Sequence, residues 1–176
     1  MKALIGVIGS AEDLKYTKKT EKVAEELGRL IASKGYVLVY GAEKDYSSLG
    51  TIACISAKKA GGLTIGITYG KNKNIVAKEY TDIVIPTGME RGGGREFPLV
   101  LMCDVIIAVA GGSGTLTEIA MAYQANIPVI ALTCCNGWAK KLANKFLDGR
   151  KRSKIIKATN AKEAVDIATM IIRNKR

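Results

Sequence analysis

The chain has 176 residues, is 48% hydrophobic, and carries a formal net charge of +11 with no histidine. That size and apolar content suit one domain able to fold without disulfides or metals, and no apolar run approaches the roughly 20 residues that span a bilayer. Without histidine there can be no Ser-His or Cys-His nucleophile pair and no histidine metal site, so acid–base chemistry falls to carboxylates, Lys, Tyr or Cys.

The N-terminus, Met1-Lys2-Ala3-Leu4-Ile5-Gly6-Val7-Ile8-Gly9-Ser10, has the basic start of a secretion signal. Its apolar stretch is short and Glu12-Asp13 follow at once, so residues 3–8 read as a first strand of a cytoplasmic protein. Residues 17–34 read as a helix with Val23, Leu27, Leu30 and Ile31 on one face. A strand over 36–40 ends at Gly41, a helix spans 48–60, and strands follow over 63–67 and 81–85. A glycine-rich loop, Arg91-Gly92-Gly93-Gly94, leads to Arg95 and a short helix over 96–102. A strand over 104–109 feeds the turn Gly111-Gly112-Ser113-Gly114. Beyond the helix that follows come a strand over 127–132, a helix over 138–147, an edge strand over 154–156, and a closing amphipathic helix over 161–173.

Near-continuously apolar strands that alternate with helices are the pattern of a parallel sheet covered on both faces. The expected architecture is α/β: a single-domain, doubly wound, Rossmann-like sheet over residues 1–176. Ligands of such folds bind at strand C-termini, where the strand order reverses. Gly9-Ser10, Gly41, the 92–94 loop and Gly111–Gly114 all fall at strand C-termini and should gather on one edge.

The four cysteines show no paired metal-ligand spacing, and no metal site is expected. Cys54 and Cys103 lie in apolar contexts and read as core. The adjacent Cys134-Cys135 follows a strand and leaves a redox role open. Charge is uneven, since residues 138–176 hold 12 Lys/Arg against three acids. These charges are spread without interleaved aromatics, which reads as a solvated basic face rather than a nucleic-acid surface.

The segment Gly111-Gly112-Ser113-Gly114-Thr115-Leu116-Thr117-Glu118 organises the chain. Strand, glycine-rich turn and helix together make an anion site, because free N–H groups and the positive dipole end of the helix face the turn. Thr115-x-x-Glu118 also fits a capping box, in which both side chains merely satisfy backbone donors. On the first reading Glu118 stands in the first turn or so of the helix, beside the anion.

Gly-Gly-x-Gly-Thr-x-x-Glu after a parallel strand, with Arg95 nine residues before Asp104, resembles the LONELY GUY ("lysine decarboxylase-like") family. Gly61-Gly62-Leu63-Thr64-Ile65-Gly66-Ile67 and Pro86-Thr87-Gly88-Met89 are most similar to its molybdenum-cofactor-carrier-like branch. The resemblance covers most of residues 3–132. It implies that Arg95 and Glu118 are catalytic in a phosphoribohydrolase, which splits the N-glycosidic bond of a nucleoside 5′-monophosphate. Glu118 would stabilise the oxocarbenium-like state or orient water, and Arg95 would clamp the phosphate or pair with Glu118 and hold it ionised. The N–H groups of Gly112, Ser113, Gly114 and Thr115 would hold the 5′-phosphate.

The chain departs from the family at Ala110, where Pro is usual and the exchange looks harmless. It departs again at Glu96, where Lys is frequent, and in the acidic loop after Gly41, which carries Glu43 and Asp45. The last two favour a variant ligand or a binder that does no chemistry. Candidate binding residues are therefore Gly9, Ser10, Gly41, Gly111, Gly112, Ser113, Gly114 and Thr115. Two readings stand. One is a phosphoribohydrolase using Arg95 and Glu118 with no required cofactor. The other is a non-catalytic carrier or sensor of a nucleotide or molybdopterin-type cofactor. The resemblance also implies a homodimer or larger homo-oligomer. Arg95 in a surface ion pair with Glu96 or Glu90 is the structural alternative to a site role.

Overall fold

The structure is a computed structural model that describes residues 1–90 and 94–175; residues 91–93 of the expected glycine-rich loop lie outside it. Seven strands form one sheet, β1 Leu4–Gly9, β2 Val37–Gly41, β3 Leu63–Thr68, β4 Ile83–Pro86, β5 Val105–Val109, β6 Val129–Leu132 and β7 Ile156–Ala158. Every pairing is parallel, in the order β4-β3-β2-β1-β5-β6-β7. The chain builds outward from β1 to β4 and then restarts on the other side at β5. The strand order therefore reverses between β1 and β5, which lie in register from Ile5↔Val105 to Gly9↔Val109. The doubly wound α/β expectation holds.

Alternate residues of each strand feed two cores. Ile5, Val7, Leu38, Tyr40, Ile107 and Val109 pack under α1 (Lys18–Ser33), α2 (Leu49–Lys59) and α6 (Ala161–Asn174). Ile8, Val37, Val39, Ile106 and Ala108 pack under α3 (Glu96–Leu101), α4 (Ser113–Gln124) and α5 (Trp138–Leu142). Strands buried on both faces explain the unbroken Val/Ile runs in the sequence. Thr17, Ser48 and Asn160 each cap a helix by accepting an N–H three residues on, as short polar side chains do at N-caps.

Two sequence boundaries need correction. The helix expected over 138–147 stops at Leu142, because Asn144 takes φ 64° and its N–H bonds to the carbonyl of Ile155. The edge strand expected over 154–156 lies at 156–158, with Thr133 N–H bonding to the Ala158 carbonyl.

The two helices nearest the β1 and β2 termini meet backbone to backbone. A Cβ at Gly28 of α1 would stand 2.0 Å from the Ala53 carbonyl oxygen and 2.9 Å from the Ala57 nitrogen of α2. Backbone atoms cannot swing aside, so Gly28→Ala forces the helices apart. We expect Gly28→Ala to lower stability by about 3 kcal/mol or more, read as a fall in the urea midpoint; an unchanged midpoint would contradict this packing.

Candidate functional site

The turns at Gly9-Ser10, Gly41 and Gly111–Gly114 gather on one edge as expected, while residues 92–93 of the fourth lie outside the described residues. The ends of β1 and β5 are tied across the crevice by Ser10, whose Oγ accepts the Gly111 N–H at 2.9 Å. Gly9 lets the two strands approach, since a Cβ there would lie 2.5 Å from the Val109 carbonyl oxygen. Gly111 takes φ 97°, and Thr115 fills the place where its side chain would be. The turn is held from behind by α5, with Trp138 N–H donating to the Gly111 carbonyl and Ala139 N–H to that of Ala110. Ala110 itself takes φ 56°. Proline cannot adopt that angle, so the Ala110 exchange is part of the shape of this turn and not the harmless change expected.

α4 begins at Ser113, with Gly112 at its cap and no side-chain capping bond. The capping-box reading of Thr115 and Glu118 is thereby replaced. Thr115 is buried inside the helix against Gly111, and Glu118, expected in the first turn or so, is the sixth helical residue and stands in the second turn. Among the described residues, the N–H groups of Ser113, Gly114 and Thr115 find no acceptor. Gly114 has no positive φ, and a Cβ there would meet nothing within 4 Å. Neither backbone conformation nor packing accounts for the missing side chain.

Arg95 precedes α3 and is only 6% exposed, which rules out the surface ion pair. Its guanidinium lies 3.9 Å from the centre of the Tyr69 ring. Nη1 donates to Glu43 Oε1 at 3.2 Å, and Nη2 stands 3.8 Å from Glu96 Oε1. Nε is buried and has no hydrogen-bond partner among the described residues. Gly41 lies beneath this group, since a Cβ there would be 2.8 Å from Nη1. Its missing side chain makes room for the arginine. The two departures noted in sequence, Glu43 and Glu96, thus converge on one cation.

Glu118 is 7% exposed and shares the cleft with Arg95, yet no ion pair joins them among the described residues. Burial drives its pKa from the ordinary 4.5 to about 8, with Glu96 and Glu43 pushing the same way against the pull of Arg95. The expectation that Arg95 holds Glu118 ionised is reversed. At neutral pH the carboxyl is largely protonated and can donate a hydrogen bond.

These groups line a cleft of about 220 Å³ with Gly9, Asp13, Leu14, Tyr46, Gly112, Ser113, Gly114 and Thr115. Ser10 and Gly111 instead face a neighbouring cleft of about 480 Å³ on the far side of Leu14. Leu14, Asp13 and Tyr69 were not singled out from sequence. Tyr69 could have been, because it follows the C-terminal end of β3. Among the described residues no cluster of three or more His, Cys, Asp or Glu could hold a metal ion, and no helix is long and apolar enough to cross a membrane.

Comparison with known proteins agrees with this architecture. A protein of Archaeoglobus fulgidus without assigned function is 37% identical over 131 residues, which is 73% of this chain and 78% of the relative. The structure of a molybdenum cofactor binding protein from Rippkaea orientalis superposes with a TM-score of 0.81 at 34% identity, covering 98% of each chain. The molybdenum cofactor carrier protein of Chlamydomonas reinhardtii superposes at 0.79 with 29% identity, covering 98% of this chain and 99% of that one. Residues 2–165 match the SLOG cluster4 family, and with an Arg–Glu cleft and a glycine-rich turn at the reversal of a doubly wound sheet, the chain belongs to that family.

Proposed function

We propose that this protein binds a nucleotide or molybdopterin-type phosphorylated ligand at the C-terminal edge of its sheet and carries or senses it without hydrolysing it. The observation that carries the reading is the uncapped start of α4. There, three N–H groups with no acceptor among the described residues and a side-chain-free Gly114 open onto the cleft that holds Arg95 and Glu118. A phosphate on those N–H groups gains from the helix dipole. A protonated Glu118 would not repel it, and the Arg95 Nε offers a further donor. The structural likeness to proteins described as molybdenum cofactor binders and carriers supports the same class of cargo.

Hydrolysis is the second reading, favoured by Arg95 and Glu118 lining one cleft. It needs a carboxylate to face the positive charge that develops on the sugar. Glu118 titrates near 8, which leaves little carboxylate at neutral pH. Arg95 is faced by two acids, which compete with a phosphate for its charge, while its buried Nε has no partner among the described residues.

The reading is tested with AMP and other nucleoside monophosphates. Binding should raise the melting temperature while chromatography detects no free base at pH 7. Gly114→Ala should keep the parent's stability, because its Cβ meets no atom, yet weaken binding by about tenfold. Base release by the parent that both Glu118→Gln and Arg95→Ala abolish would establish the hydrolase reading instead.

The raised pKa also sets a pH dependence. Between pH 4.5 and 8 the folded protein holds a proton on Glu118 that the unfolded chain releases, so this contribution to stability is full at low pH and is lost as pH rises through 8. The size is about 5 kcal/mol in order of magnitude. Urea unfolding at pH 5 and pH 9 should show the parent losing stability across this window and Glu118→Gln losing much less. Equal slopes for the two proteins would show that Glu118 is ionised in the fold.

The expected homodimer is retained as part of the proposal. Phe97 and Leu101 lie one turn apart on α3 beside the cleft, 50% and 56% exposed. Light scattering at micromolar concentration should give twice the chain mass, and Leu101→Glu should halve it.

A further inference from the structure

The cleft on the far side of Leu14 differs from the Arg95 cleft in its charge. The Arg95 cleft sets one guanidinium against Asp13, Glu43, Glu96 and Glu118. Its neighbour, about 480 Å³, has two lysines, Lys15 and Lys19, and no acidic side chain among the described residues of its walls. Among the described residues neither lysine makes an ion pair. Both clefts share Leu14 and Gly112, so one molecule can lie across them.

Three further donors face the same space. The cleft takes in Thr17, Lys19 and Thr20 at the start of α1, a 16-residue helix whose positive dipole end adds to the lysines. The buried Ser10 hydroxyl accepts the Gly111 N–H. A hydroxyl that accepts still has its own proton to give, and no acceptor for it is found among the described residues. Asn136 adds an amide on the opposite wall, beside Cys134 and Cys135.

We propose that this second cleft is an anion subsite, in which Lys15, Lys19 and Ser10 take a second phosphoryl group of a ligand whose first lies at the start of α4. Charge decides the placement. A cleft with four carboxyl groups and one arginine cannot take a second phosphate dianion. The lysine cleft has unpaired positive charge and no carboxylate on its described walls to repel the group. The ligand class is thus a bisphosphorylated one, bent over Gly112 with Leu14 against its middle. This inference rests on the reading that the sheet edge binds a phosphorylated ligand.

Cys134 supplies a readout independent of activity. It is the half-buried member of four free cysteines, the other three being buried, and it lines this cleft. Inorganic phosphate should slow alkylation of Cys134 by the uncharged reagent iodoacetamide. That protection should vanish in Lys15→Gln/Lys19→Gln, which keeps side-chain bulk and removes the charge. Adenosine 3′,5′-bisphosphate should bind the parent about tenfold more tightly than AMP, and the double variant should bind the two equally. Phosphate that leaves the alkylation rate unchanged, or that protects the double variant equally, overturns the subsite. AMP binding with no gain from the second phosphate also overturns it, while leaving the proposed function standing. Phosphate protection without any AMP or bisphosphate binding leaves the subsite standing and removes the nucleotide reading.

Discussion

A single buried guanidinium sets the chemistry of the sheet edge. A charge taken out of water is costly unless polar groups surround it, and Arg95 draws those groups from three separate elements. Glu43 comes from the loop after β2, Glu96 opens α3, and Tyr69 follows β3 and offers the face of its ring. The absent side chain of Gly41 makes the space. Once two carboxylates have answered one cation, a third buried nearby has nothing left to pair with. Glu118 is that third group, and it keeps a proton instead. Burial is the larger cause of that proton, and the two acids at Arg95 add to it.

Much of this was legible in the sequence. The doubly wound sheet followed from Val/Ile runs alternating with helices, and the turns at Gly9, Gly41 and Gly111 fell where strands end. Local pattern failed where long-range contacts decide. The apolar spacing of residues 138–147 continues through Phe146 and Leu147, but the bonds between residues 144–145 and Ile155 take that backbone out of the helix. Thr115 and Glu118 have capping-box spacing, yet the packing of Thr115 against Gly111 goes with a helix start three residues earlier. The protonation of Glu118 follows first from its burial, with Glu96 and Glu43, the latter 75 positions away in the chain, pushing the same way, and no spacing rule connects them. Leu14 is an exposed residue of a short turn, and only the folded edge shows that it divides two clefts.

The uneven charge of the chain acquires a spatial meaning. Most of the net charge of +11 lies in residues 138–176, whereas the Arg95 cleft is locally acidic. Such a basic exterior draws anions in from solution, and the site's own acids then discriminate among them. The sheet edge is therefore selective by repulsion as much as by attraction.

The backbone-to-backbone packing of α1 and α2 at Gly28 has a consequence for motion. At that point no side chain separates the two helices, and Leu27, Ile31, Ala53 and Ala57 bury the rest of the contact, so α1 and α2 move as one body. The segments in front of them are stitched together as well. Ala11 pairs with Ser48, Glu12 N–H donates to the Ser47 carbonyl, and Ser47 N–H donates to the Glu12 carboxylate. Ser10 is tied to Gly111 and to the first residue of α2 as well, so Leu14, between the two clefts, stands on a segment anchored to both the β5 turn and the cap of α2.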